Sequence, residues 1–275
     1  MRITTFDQLQ HFISSLSPSE YYFRGYTNPD ELKPNLGRKR DSDRREKAMQ
    51  AFCDFLEQLY NQGFPEQTLK DCIAISQHYG IPTKLVDLTI DPWVSVYFGL
   101  GREHCNGNFR ILYTPAQDFK TSLSDKFTSY TVTLGDIGEM PIGSIRNISL
   151  HQLTKLEETD LITIDYIRSR LLEKIYNKFF NQQDEAVLLI YDKTVNLRIA
   201  RQKGLFVLFR DENAILDKSR FDEVDFDLSS EEVAKVWTYL EQNGYTQDNL
   251  LPETINGISV AEIASDIANS YFPAH

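Results

Sequence analysis

Ile75-Ser76-Gln77-His78-Tyr79-Gly80-Ile81-Pro82-Thr83-Lys84-Leu85-Val86-Asp87-Leu88-Thr89-Ile90-Asp91-Pro92-Trp93-Val94-Ser95-Val96-Tyr97-Phe98 is the stretch on which the reading of this chain turns. A helix over about residues 66–79, carrying Leu69, Cys72, Ile73, Ile75 and Ser76, leads into it and stops at Gly80. Pro82 and Pro92 bracket residues 83–90, which read as a short extended segment, and residues 93–100 suit either a helix or a strand. Gln77, His78, Thr83, Lys84, Asp87, Thr89 and Asp91 are interleaved with aliphatic and aromatic residues. A buried polar group without a partner costs about 1–3 kcal/mol, so such a density of polar groups in apolar surroundings points to a site.

Outward from this block, Thr5-Phe6-Asp7-Gln8 reads as a capping box for a helix over about residues 5–16, with Phe6, Leu9, Phe12, Ile13 and Leu16 at helical spacing. Residues 20–26 are aromatic, end at Gly25-Tyr26 and read as a first strand. Residues 27–38 form a loop rich in Asn, Pro and Gly. Asp41-Ser42-Asp43 caps a second helix that turns Ala48, Phe52, Phe55, Leu56 and Leu59 inward. Further strands are expected at 109–113, 186–191 and 204–209, and helices at 164–180, 229–242 and 259–271. Helices outnumber strands and no βαβ repeat is visible, so the expected class is α+β, a mixed or antiparallel central sheet with several flanking helices.

With 40 acidic against 29 basic residues the net charge is −11, which disfavours general nucleic-acid binding. Lys33, Arg38, Lys39, Arg40, Arg44 and Arg45 make one basic neighbourhood, either a local anion site or a solvated helix start. Three cysteines, Cys53, Cys72 and Cys105, have no pairing pattern, which fits a reducing cytoplasm with no disulfide. No apolar run reaches membrane-spanning length and no signal region is seen, so no membrane association is expected. Asp87 and Asp91 lack a third anchored ligand, so no metal site is expected.

Arg24 sits on the aromatic strand beside Gly25 and needs an anion, which could be Asp87 or Glu46 or a ligand's phosphate or carboxylate. Gly25 permits close backbone approach, which favours the ligand. His78 could be a base, a hydrogen-bond donor to a ribose or phosphate, or a structural residue. Gln202 precedes the strand at 204–209, with Arg198 and Arg201 nearby, and could order a ligand or tie down a turn. No phosphate loop, nucleophile elbow or zinc motif is present, so kinases, P-loop NTPases, serine hydrolases and zinc enzymes fit poorly.

Phe23-Arg24-Gly25, Leu32-Lys33-Pro34-Asn35-Leu36-Gly37-Arg38, Glu46 with Phe52, the Gln77 to Thr89 block, the stretch from Arg198 to Phe206 and the tail from Gly244 to Glu253 occur in an order that resembles the FRG domain family. The resemblance covers about residues 4–261 and implies one FRG-like domain over 1–275 with a less typical insert at about 115–160. The order of elements is also similar to ADP-ribosyltransferase folds, which implies that Arg24 orients NAD and that Thr89 supports the nicotinamide ribose. The third position falls at Gln202, where glutamine cannot act as a base, so Asp87 or Glu212 would substitute or the domain would bind without turnover. On that reading Arg24, His78, Asp87, Thr89 and Gln202 are the candidate catalytic residues. Tyr22, Gly25, Gln77, Tyr79, Thr83, Lys84, Arg38 and Arg201 are the candidate ligand contacts. The resemblance implies a nucleotide-like ligand and an effector in bacterial conflict or phage defence, or alternatively a non-catalytic nucleotide-binding or regulatory module with a protein partner.

Overall fold

In the computed structural model, the described residues are 1–17, 20–38, 43–64, 68–101, 107–119, 186–189, 197–209, 211–252 and 260–273. Elements are numbered over these residues in chain order. The Thr5 hydroxyl accepts from the Gln8 amide and starts helix α1 (Phe6–Ser14), which buries Leu9, Phe12 and Ile13. Aromatic alternation in Tyr21–Tyr26 makes strand β2, after the two-residue β1 (Arg2–Ile3). A 3-10 turn (Pro29–Leu32), started by an Asn28–Glu31 capping box, leads into the short α2 (Asn35–Arg38). Helices α3 (Arg44–Asn61) and α4 (Leu69–His78) precede strand β3 (Leu85–Thr89).

Residues 92–100 resolve as helix α5 (Pro92–Leu100), because Asp91 caps it by accepting from the Trp93 amide and Pro92 occupies the first turn, where its missing N–H costs nothing. Strand β4 (Asn108–Pro115), β5 (Ala186–Leu189), helix α6 (Leu197–Gln202), β6 (Gly204–Phe209), β7 (Asp222–Asp227), α7 (Ser230–Gln242), α8 (Gln247–Leu250) and α9 (Val260–Tyr271) complete the described elements. The sequence reading did not include β1, β7, α6 or α8, and it took the residues of α2 as loop. The acidic residues of β7 hide an alternation in which only Val224 and Phe226 are buried. The helix expected at 164–180, and nearly all of the insert expected at 115–160, lie outside the described residues.

The fold is α+β. Among the described residues one mixed sheet runs β1-β7-β4-β2-β3-β6-β5, antiparallel except for the β1–β7 pair. One face carries two helical cores. In the first, α3, α4 and α9 cover Leu85, Phe206 and Leu208. In the second, α1, α5 and α7 cover Phe23, Phe109, Ile111 and Phe226. The opposite face packs Tyr22, Tyr26, Val86, Leu88, Leu112 and Val207 against Leu32, Phe119, Leu216 and Phe221.

The join between β2 and β3 positions everything that follows. β2 pairs with β4 at six positions, but with β3 only where Phe23 lies opposite Thr89. Gly25 explains how closely α5 approaches β2: a Cβ there would lie 1.8 Å from the Ser95 carbonyl oxygen.

A polar cavity where two strands part

Beyond the Phe23–Thr89 pair, β2 runs on through Arg24 and Gly25 while β3 runs back through Leu88 and Asp87. All four line a cavity of about 300 Å³ between the strands, at the boundary of the two helical cores. The switch is legible along β3: Leu85, Asp87 and Thr89 share the helical face, and the face turns from apolar to polar as it reaches the gap. Helix α4 contributes Gln77 and His78, α5 contributes Val94, Ser95 and Phe98, and Arg38, Gln202 and Leu251 complete the wall with Glu31 and Asn35.

Alternation places Arg24 with Tyr22 and Tyr26, away from Asp87, yet the unpaired strands let its guanidinium cross. Nη1 donates to the Asp87 carbonyl at 3.0 Å and to Oδ2 at 3.2 Å, and Nη2 donates to the Glu31 carbonyl at 2.9 Å. The arginine thus gives Asp87 a hydrogen-bond donor on the side where β2 has moved away. Its partner is Asp87, one of the two carboxylates considered from the sequence; no ion pair joins it to Glu46. Arg24 Nε is buried without a hydrogen-bond partner.

Arg38 donates through Nε to the Lys33 carbonyl at 3.0 Å and through Nη2 to the Glu31 carbonyl at 3.1 Å, and it pairs with no carboxylate. The Glu31 carboxylate is turned back to Thr27 and Asn28. Burial, and after it the adjacent Arg24 charge, lower the Arg38 guanidinium from its ordinary value. Burial alone would raise the Asp87 carboxyl, but Arg24, then His78, Arg38 and the Gln77 amide, hold it below its ordinary value as a carboxylate. Burial pushes His78 down to about 4, against the pull of Asp87 and with the help of Arg198, so its imidazole is neutral at neutral pH. The ring packs edge-on to Phe206, and Nε2 is buried without a hydrogen-bond partner.

Thr89 and Gln202 line the cavity while also holding it together. The Thr89 hydroxyl donates to the Gln202 carbonyl at 2.7 Å, and the Gln202 amide nitrogen donates to the Leu250 carbonyl at 2.8 Å. Gln77 accepts from the Thr83 hydroxyl at 2.6 Å, so Thr83 lies behind the wall and orients a residue of it.

Four other sequence candidates lie elsewhere. Tyr22 is buried on the opposite face against Phe119. Tyr79 lies under the Arg198 guanidinium, 4.2 Å from its ring centroid. Lys84 is buried with Nζ 3.6 Å from Glu212, and burial lowers its ammonium from the ordinary value despite that carboxylate. Arg201 is exposed outside the cavity. Gly25 does line the cavity, but the backbone its missing side chain admits is that of α5. Glu31, Asn35, Phe98 and Leu251, like the apolar Phe23, Leu88 and Val94 and the adjacent Ser95, were not read as site residues; Asn35 lies inside the Leu32 to Arg38 motif and Phe98 closes the block that begins at Ile75, and those were the available signals.

Among the described residues no group of three or more His, Cys, Asp or Glu could hold a metal ion, Cys53 and Cys72 are buried, and no helix is long and apolar enough to cross a membrane. Cys105 lies outside the described residues. The model of the FRG domain family matches residues 19–107, and the strand carrying Arg24, the loop and helix carrying Arg38 and the block from Gln77 to Thr89 all lie in this span. Gln202 and Leu251 reach the cavity from outside it. No curated protein and no solved structure matches the chain.

Proposed function

We propose that the cavity binds a small phosphate-bearing, nucleotide-like ligand through Arg24 and Arg38. The observation that carries this reading is Arg38: a partly buried guanidinium beside a second arginine, hydrogen-bonded only to carbonyls, with its attraction to Asp87 shared with Arg24, which holds the ion pair to that carboxylate. Burying a cation next to another is unfavourable unless an anion joins them, and a planar guanidinium fork suits phosphate. A volume of about 300 Å³ is at the lower end for small-molecule sites, enough for a phosphorylated ribose or one nucleotide moiety. A cytoplasmic sensor or effector in bacterial conflict or phage defence, alone or with a protein partner, would suit such a pocket.

Isothermal titration of AMP, ADP and NAD into the wild type and Arg38→Gln tests the reading. Binding by the wild type that falls at least about tenfold in the variant, with a Tm lowered by no more than about 4 °C, supports it. Wild-type protein that binds none of the three sinks it.

A catalytic reading, ADP-ribosyltransferase-like with NAD as cofactor, rests on Asp87 being ionised beside a neutral His78 in the same cavity. The Gln202 amide is engaged with Leu250, so the carboxylate of Asp87 would stabilise positive charge developing on the ribose. Release of nicotinamide from NAD that disappears in Asp87→Asn would favour turnover; binding without release favours a regulatory module.

A further inference from the structure

Helix α5 is buried almost all round: Pro92, Val94, Ser95, Val96, Tyr97, Gly99 and Leu100 are buried and Trp93 is half-buried. Its one exposed position is Phe98, at 38% exposure. On a helix with a single position open to solvent, that position is ordinarily polar. One exposed aromatic on a surface needs no explanation, but this one lines the cavity, one turn along from Val94 on the same helix face. Phe23 and Leu251 add apolar wall, whereas the wall's guanidinium groups come from Arg24 and Arg38. The cavity therefore offers two chemistries, cationic and aromatic, and a nucleotide has the matching two.

We infer that Phe98 is the stacking platform for an aromatic base or nicotinamide-like ring whose phosphate end is held by Arg24 and Arg38. This rests on the phosphate reading above and adds the other end of the ligand. An aromatic face accepts any planar heterocycle, so the site selects for a base over a bare sugar phosphate without strong preference among bases. Tyr97 packs against Phe98 with ring planes near perpendicular and centroids 5.2 Å apart, a contact that steadies the ring.

The test is titration of AMP, adenosine and ribose 5-phosphate into the wild type, Phe98→Ala, Phe98→Tyr and Arg38→Gln, with Tm measured for each. Because Phe98 is exposed, its alanine variant should fold with an unchanged Tm. The expected result is AMP binding about tenfold or more tighter than ribose 5-phosphate in the wild type, a preference lost in Phe98→Ala and kept in Phe98→Tyr. An unchanged preference in Phe98→Ala overturns the platform and leaves the phosphate reading standing. Adenosine binding that needs Phe98 but gains nothing from a phosphate, and is indifferent to Arg38→Gln, keeps the platform and overturns the phosphate reading. No binding of any probe overturns both.

Discussion

Arg24 and Arg38 both donate to the Glu31 carbonyl, yet replacing each should do different things. Arg24 also holds the Asp87 carbonyl and carboxylate, so Arg24→Ala strands a half-buried carboxylate and should cost about 2 kcal/mol in urea denaturation. Loss of ligand binding in that variant would be uninformative. Arg38 pairs with no carboxylate, so Arg38→Gln should cost only about 1 kcal/mol, and it is the cleaner test of the site. His78 adds a pH signature. Its pKa is about 4 in the folded protein against an ordinary 6.5, so the unfolded chain takes up the proton first as pH falls. Stability from this group is fully present above pH 6.5 and is lost as pH falls through 6.5 toward 4, about 2 kcal/mol between pH 7 and pH 5. Denaturation curves should show that loss in the wild type and not in His78→Gln. Asp87 acts in the same direction at lower pH: its contribution is present above the ordinary carboxylate pKa and disappears as pH falls through its own depressed value.

At the scale of elements, the contact between β2 and α5 is set by two backbones. A methyl at residue 25 meets the Ser95 carbonyl oxygen, which no rotamer change can move. Gly25→Ala should therefore lift α5 from the sheet and cost about 3 kcal/mol or more, read as a fall in the denaturation midpoint. Adding Ser95→Gly should not rescue it, because the clash is with the main chain; a full rescue would show that the helix is not seated as described. Gly99 faces the same seam, its own Cβ position lying 3.3 Å from the Gly25 Cα, so α5 and β2 approach through one glycine from each. That seating holds Val94, Ser95 and Phe98 against the cavity.

Across the whole molecule, a net charge of −11 surrounds a cavity with two arginines. Long polyanions meet the repulsive surface before the site, whereas a mononucleotide fits within it. Single-stranded DNA should show no fluorescence-anisotropy change at 150 mM salt, while AMP raises the Tm; at a hundred times its dissociation constant the added stability is about 2.7 kcal/mol. Tight binding of single-stranded DNA under those conditions would contradict the closed, small-ligand site.

What the sequence determined by itself was local. Capping at Thr5, the aromatic character of Tyr21–Tyr26 and the stop at Gly80 follow from interactions within a few residues, so those elements could be read directly, whereas the Asp91 cap that makes α5 a helix was not read. The polar block from Gln77 to Thr89 stood out for the same reason, since its residue types conflict with their apolar neighbours. β7 escaped because what stabilises it is burial of Val224 and Phe226 beside β4, a partner more than a hundred residues away in the chain. Only the tertiary structure decided that β2 and β3 pair once and then part, and that gap makes a cavity from residues 23 to 251. It also assigned Gly25 to helix packing, gave Thr89 and Gln202 hydrogen bonds that brace the wall, and turned Lys84 away toward Glu212. Those outcomes depend on which backbone groups meet across the sheet, and residue type and spacing carry no record of that.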